Sequence, residues 1–228
     1  MIIAIDGPAG SGKSTLAKLL AAELGFHYLD TGAMYRAVAY RALQEGIDLT
    51  GGPELLAIAT NEAIAFGQNG PNTVSIGGLD VTSVIRSKEV DNAVSPVSDC
   101  PAVREALTEQ QRIIGRSSNV VMEGRDIGTV VFPDAECKIY LDATPECRAQ
   151  RRCLQNQERG VGSTDFKEIY DAIIARDIYD STREVSPLRK ADDAYYLDSS
   201  DLDIPQVLAL MVDYAVSCGA QDPRVDQA

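Results

Sequence analysis

Several functional classes need residues that this sequence has in short supply. It carries one histidine, His27, and that residue lies in the apolar stretch GFHYLD, where a packed or half-exposed strand position is expected rather than a catalytic one. The five cysteines, Cys100, Cys137, Cys147, Cys153 and Cys218, are odd in number and contain no CxxC pair. A disulfide framework and a zinc site are therefore not expected, and the cysteines read as small apolar filler in a reducing compartment. Positive charge is scarce as well: 21 Lys and Arg stand against 34 Asp and Glu, a formal charge of −13. Duplex nucleic acid and anionic membranes reward basic surface, so neither is an expected partner, although a small anion in a local basic cleft is still possible. Long apolar runs are missing, since MIIAI stops at Asp6 and nothing approaches the roughly 18 residues of a membrane span. The expectation is a single cytoplasmic domain of 228 residues, acting as a monomer.

The apolar pattern is that of an α/β protein. Residues 2–5 read as a buried strand, and STLAKLLAAEL then switches to helical spacing with Leu16, Leu19, Leu20 and Leu24 on one face and Gly25 as C-cap. FHYLD is a second short strand, and AMYRAVAYRAL a helix ending before Gly46. Between about Leu49 and Ser87 a helix, PELLAIATNEAIA, precedes short β-like pieces separated by Gly and Asn, which suggests a small antiparallel insertion. Helices are expected near Lys88 to Ser95 and from Pro101 to Ile114. NVVMEGRD, CKIYLD and AYYLD complete a five-stranded, mainly parallel core sheet flanked by helices. In DATPECRAQRR, Thr144 can cap a helix with Pro145 and Glu146 in its first turn, and spacing then puts Arg148, Arg151 and Arg152 on one side. From Arg148 to Lys190 nine basic residues face seven acidic ones, a local excess of positive charge in an acidic chain.

The stretch Gly7, Pro8, Ala9, Gly10, Ser11, Gly12, Lys13, Ser14, Thr15 fits GxxxxGK[ST], directly after a strand and before an amphipathic helix. Glycines let backbone N–H groups turn inward around a phosphate chain, and the helix start adds partial positive charge. Lys13 reaches the β and γ phosphates of ATP, and the Ser14 hydroxyl is a ligand for Mg²⁺. The same loop serves kinases, GTPase switches and ATP-driven machines. A GTPase should show an NKxD-like guanine reader and none occurs, while a mechanical ATPase needs more surface than this chain carries. A small-molecule kinase remains.

The acceptor is sought among other charged residues. Asp30 ends the second strand in LDTGAMYR, where it can face the ligand crevice at the carboxyl edge of the sheet or simply cap the next helix. Tyr35 and Arg36 follow in the first turns. EGRD places Glu123, Arg125 and Asp126 at the end of another strand. Arg36, Arg86, Arg104, Arg125, Arg176 and Arg183 lie in segments that can converge. Unpaired burial of each costs several kcal/mol, so they must be solvated, matched by carboxylates, or reserved for an anion. An acceptor that already bears a phosphate is the economical choice.

IDGPAGSGKST, LDTGAMYR, VIRSKEV, EGRDIGTVVFPDA, KIYLDAT and ARDIYDSTREVSPL, spread over residues 2 to about 198, resemble the bacterial cytidylate kinases of the nucleoside monophosphate kinase group. The resemblance implies transfer of the γ-phosphoryl of ATP to CMP or dCMP. It also implies a P-loop kinase core (1–48 and 86–228), a monophosphate-binding insertion at about 49–85 and a mobile lid at about 151–164. The family's base-reading positions fall on Ser95, Arg104 and Asp126, its sugar contact on Asp180, and its acceptor-phosphate contacts on Arg36, Arg125, Arg176 and Arg183. Tyr35 and Asp30 flank the monophosphate, and Arg151, Arg152 and Arg159 match the lid. Cytosine chemistry agrees, because its exocyclic amine needs an acceptor such as Asp126, whereas uracil would present a carbonyl there. Tyr179 departs from the pattern, standing where some relatives have a basic residue. Two rival readings are a kinase for UMP, AMP or a non-nucleotide metabolite, and an ATP-binding switch that transfers nothing.

Overall fold

The computed structural model describes residues 1–68, 70, 73–160 and 162–224, and every side chain among them except that of Arg159. Two compact units are formed, Met1–Tyr28 with Gly115–Ala228, and Leu29–Ile114.

The first strand, β1 (Ile2–Asp6), is buried from Ile3 onward. Helix α1 (Lys13–Leu24) begins at Gly12 with φ 96° and ends at Gly25 with φ 67°, both left-handed positions that glycine takes without strain. Its buried face is Leu16, Ala17, Leu20 and Ala21, whereas Leu19, expected inside, is 38% exposed. The two alanines occupy the closely packed side, so the apolar stripe is rotated away from Leu19. His27 opens β2 (His27–Asp30) and is exposed.

The second unit begins with α2 (Thr31–Glu45), closed by Gly46. Helix α3 (Pro53–Asn61) is shorter than its sequence suggests: the chain leaves at Glu62, and β3 (Ile64–Phe66) pairs antiparallel with β4 (Val74–Ile76). Ile64 faces Ile76 across the ladder and both are buried, so cross-strand packing overrides helix propensity here. Strand β5 (Leu79–Asp80) completes the expected antiparallel insertion. Helix α4 (Lys88–Asp99) continues past Ser95 with Pro96 inside it, and α5 (Pro101–Arg116) follows. The core of this unit gathers Met34, Leu55, Ile76, Ile85 and Leu107, each at most 1% exposed.

In the first unit, β6 (Val120–Gly124) is followed by one π-helical turn, Ile127–Val131. Then come β7 (Cys137–Asp142), α6 (Pro145–Arg159), α7 (Phe166–Thr182), β8 (Tyr195–Asp198) and α8 (Ile204–Ser217). Thr144 caps α6 through the Cys147 N–H, with Pro145 and Glu146 in the first turn as their order suggests. The five strands are ordered β2-β6-β1-β7-β8, and β1 pairs in parallel with both β6 and β7. Register sets Asp6 opposite Gly124 and opposite Tyr140, so β1, β6 and β7 end at one edge. In such a sheet that edge is where ligands bind.

Candidate active site

The phosphate loop bridges β1 and α1, and its geometry depends on its glycines. A Cβ on Gly7 would lie 2.0 Å from the Leu141 carbonyl oxygen, so only glycine lets the loop run this close to β7. Lys13 is 5% exposed and folds back over the loop, donating from Nζ to the Pro8 carbonyl at 2.7 Å. Burial, followed by the charge of Arg125, pushes the Lys13 ammonium down to about 7, against the opposing pull of Glu123, Asp6 and Asp180. The Ser14 hydroxyl donates to Glu123 Oε2 at 3.0 Å, and the Tyr28 hydroxyl to Oε1 at 2.5 Å. Hydroxyl and carboxylate oxygens are the donors that suit magnesium.

A second group of charges gathers around Asp180 of α7. Asp180 is fully buried; its Oδ2 accepts from Arg125 Nε and its Oδ1 from Arg176 Nε, both at 3.0 Å. Burial alone would raise this carboxyl, but Arg125 and Arg176 together hold it below the usual carboxylate range. The Arg176 guanidinium lies over the Tyr179 ring at 5.9 Å, so the residue that departs from the family pattern places an aromatic face under Arg176. Arg183 caps α7 at its C-terminus and donates from Nε to the Ser186 carbonyl at 2.8 Å. The structure thus brings Arg125 and Arg176 onto one carboxylate, while Arg183 has a backbone partner on the following turn.

Arg148 ties the two groups together. It is 3% exposed, donates to the Ala143 carbonyl at 2.8 Å and the Ala9 carbonyl of the phosphate loop at 3.1 Å, and makes a two-pronged pair with Asp177 of α7 at 3.0 and 2.6 Å. Helical spacing puts Arg148 on a face with Arg151 and Arg152 but says nothing of a partner 29 residues away. Arg151 donates to the Ser199 hydroxyl at 3.0 Å and carbonyl at 2.6 Å, which anchors it at the end of β8. The stretch from 151 is helical through Arg159 and then turns at Gly160 and Gly162, with φ 63° and 82°. The Arg159 side chain lies outside the described residues.

Asp6 was not singled out by its sequence context. It is 5% exposed, and its two oxygens accept the backbone N–H groups of Ile127 at 2.8 Å and Gly128 at 2.7 Å, in the π-helical turn. Burial outweighs those two hydrogen bonds and raises its carboxyl to about 6 from 3.8. The folded protein therefore holds that proton more tightly than the unfolded chain does. Stability falls as pH rises through this window, by about 3 kcal/mol in all. Asp126, just ahead of the turn, is 6% exposed.

In the second unit Asp30 caps α2, accepting from the Ala33 N–H at 3.0 Å, and also pairs with Arg86 at 2.9 Å. Arg36 pairs with Asp91 and donates to the Ile85 carbonyl at 3.4 Å. Arg104 is buried, bonds the Ser98 carbonyl at 3.0 Å and lies over the Tyr35 ring at 5.3 Å. Ser95 is half-buried on α4, and its carbonyl accepts from Ser98. Of the fates open to the arginines, Arg36, Arg86, Arg125 and Arg176 are matched by carboxylates. Among the described residues no cluster of three or more His, Cys, Asp or Glu could hold a metal, and no helix is long and apolar enough to cross a membrane. The cysteines are all free thiols.

Comparison with known proteins agrees with these features. The cytidylate kinase family model matches residues 3–217. A cytidylate kinase of Enterococcus faecalis is 52% identical over 209 residues, covering 91% of this chain and 92% of that one. A cytidylate kinase of Limosilactobacillus fermentum is 50% identical over 206 residues, covering 90% and 91%. The fold is also similar to that of an uncharacterized protein from Eubacterium ventriosum, with a TM-score of 0.51, 13% identity and coverage of 95% and 99%. At that identity the likeness concerns the fold alone. A family match along nearly the whole length and relatives at half identity lead to one conclusion: the chain belongs to the cytidylate kinase family, and it is an enzyme.

Proposed function

We propose that Lys13 and the N–H groups of residues 7–15 hold the donor, and that Arg125, Arg176 and Arg183 hold the acceptor's own phosphate, while the protein transfers the γ-phosphoryl of ATP to CMP or dCMP. The products are ADP and CDP or dCDP. The observation that carries this division is the pair of like charges in the first unit. Lys13 is buried, and burial first and the charge of Arg125 second push its ammonium down to about 7. Asp180 already pairs with Arg125, and Glu123, Asp6 and Asp180 act on Lys13; donor and acceptor phosphates would add their charge to that set.

The attacking oxygen of a nucleoside monophosphate is ionised at neutral pH, so no strong general base is needed. Catalysis is positioning together with charge stabilisation. Asp180 sets the spacing of Arg125 and Arg176; its sugar contact rests on the resemblance. Asp126, Arg104 and Ser95 read the cytosine edge, Arg36 contributes to the phosphate, and Asp30 and Tyr35 flank the nucleotide. Magnesium accompanies ATP in kinases, where it neutralises phosphate charge; Ser14 and Glu123 are the residues that would hold it. Arg151 and Arg159 stabilise the transferred group from the lid at about 151–164, which requires Arg151 to give up Ser199. The core (1–48 and 86–228) and the insertion (about 49–85) keep their expected roles, and the enzyme acts as a cytoplasmic monomer on small molecules.

A coupled ADP-release assay with MgATP against CMP, dCMP, UMP and AMP tests the reading. CMP and dCMP should be turned over at least about a hundredfold more efficiently than UMP or AMP, a ratio within reach of a site that hydrogen-bonds the base edge. Comparable use of UMP or AMP would overturn the base assignment.

A further inference from the structure

We infer that Asp6 is a positioning residue for base selection: by holding the first two N–H groups of the π-helical turn it fixes Asp126, and with it the preference for cytosine over uracil. The inference rests on the assignment of Asp126 as a base reader. An isolated π-helical turn is a poor structure by itself and persists where its surroundings impose it. Here the Asp126 side chain does not cap the turn it precedes, and its φ of −145° with ψ 23° belongs to neither regular helix nor strand. The N–H groups of Ile127 and Gly128 have no partner within the turn and go instead to the two oxygens of Asp6, across 121 and 122 residues of sequence. The fit is tight on the other side too. A Cβ added to Gly128 would lie 3.3 Å from Lys138 Cδ and 3.4 Å from Asp6 Oδ2. Asp6 is also the last residue before the phosphate loop, with its own backbone fixed opposite Gly124. The raised Asp6 carboxyl supports the same view, because a buried carboxylate that lowers stability is not explained by folding alone.

The experiment is steady-state kcat/KM for CMP and for UMP with full-length wild type, Asp6→Asn, Gly128→Ala and Asp126→Asn. An amide at position 6 offers one acceptor where two are used and turns an N–H₂ toward a backbone N–H. Asp6→Asn is expected to lower the CMP/UMP ratio by about tenfold, chiefly through KM for CMP, with a smaller change in the same direction for Gly128→Ala. A loss of activity that is parallel for both nucleotides, with the ratio unchanged, overturns the inference. If Asp6→Asn does not fold, the ratio in Gly128→Ala decides by the same criterion. The Asp126→Asn arm separates the two ways of failing. A ratio moved by Asp126→Asn but not by Asp6→Asn sinks this inference alone. A ratio unmoved by Asp126→Asn removes the base-reader assignment, and the inference with it.

Discussion

The phosphate loop and the arginine group of α7 both bind phosphate in the proposed scheme, yet they are built on opposite principles. The loop is local: nine consecutive residues, with glycine conformations and a buried lysine that closes back on its own Pro8 carbonyl. The α7 group is assembled across the chain, since Arg125 and Asp180 are 55 residues apart and meet only when β6 and α7 are both in place. The loop presents backbone dipoles that need no counter-charge. The α7 group presents full charges, and a fully buried carboxylate is needed to hold them. Damage to the loop should therefore remove catalysis with little effect on the fold, whereas damage to Asp180 should reach both.

The largest expected effect is on the loop side. Lys13→Ala should lower kcat/KM by about a thousandfold, with the fall mainly in kcat, because its charge matters most as the phosphoryl group is transferred. Thermal melts of that variant should not fall below wild type, since a buried ammonium pushed down to about 7 disfavours the folded state. A melt lowered as far as that of an Asp180 variant would erase the contrast between the regions.

Asp180→Asn comes next. With the ion pairs gone, stability should fall by roughly 3 kcal/mol in denaturant titration, and kcat/KM for CMP by about a hundredfold. ATP affinity measured by calorimetry should change by less than about threefold. A loss of ATP affinity equal to that for CMP would show the two phosphate sites to be one unit.

Arg148 joins the regions and gives a smaller, shared effect. Arg148→Lys keeps a charge but loses the fork that grips Asp177 and the contact with the Ala9 carbonyl. KM for ATP and for CMP should both rise about tenfold. A rise confined to one substrate would place Arg148 on that side only.

What could be read from the sequence follows the same divide. The strand, loop and helix at the N-terminus declare themselves because an apolar run, a glycine-rich turn and a helical apolar stripe follow one another within 25 residues. The five-stranded sheet and the antiparallel insertion are legible for a related reason, as apolar runs and Gly-Asn turns mark them. The end of α3 is not, because Ile64 is drawn into a strand by Ile76. The role of Asp6 and the partner of Arg148 escape notice because the contacts lie 121 and 29 residues away and no local pattern names them. The positions of Ser95, Arg104 and Asp180 came from family resemblance, since a serine, an arginine and an aspartate on three helices have no spacing in common. Tyr179, which breaks the family pattern, takes its meaning from the guanidinium above it.

A subtler effect concerns protons. Lys13 in the free protein is pushed down to about 7, so at pH 8 it is mostly neutral. A bound phosphate chain raises it again, and ATP binding at pH 8 should take up as much as about one proton. Calorimetry in two buffers of different ionisation enthalpy measures this, and Lys13→Gln should abolish it. Equal apparent enthalpies in both buffers for the wild type would remove Lys13 from the donor site.

The central claim, that the arginines grip the acceptor's own phosphate, is tested most directly by the ratio of CMP to cytidine affinity. Calorimetric titration of the wild type should show CMP binding at least about a hundredfold more tightly than cytidine, as expected when charge-assisted hydrogen bonds to a phosphate are lost. In Arg176→Ala that ratio should collapse toward about tenfold, while in Lys13→Ala it should persist. A ratio unchanged in Arg176→Ala, or abolished in Lys13→Ala instead, would contradict the account.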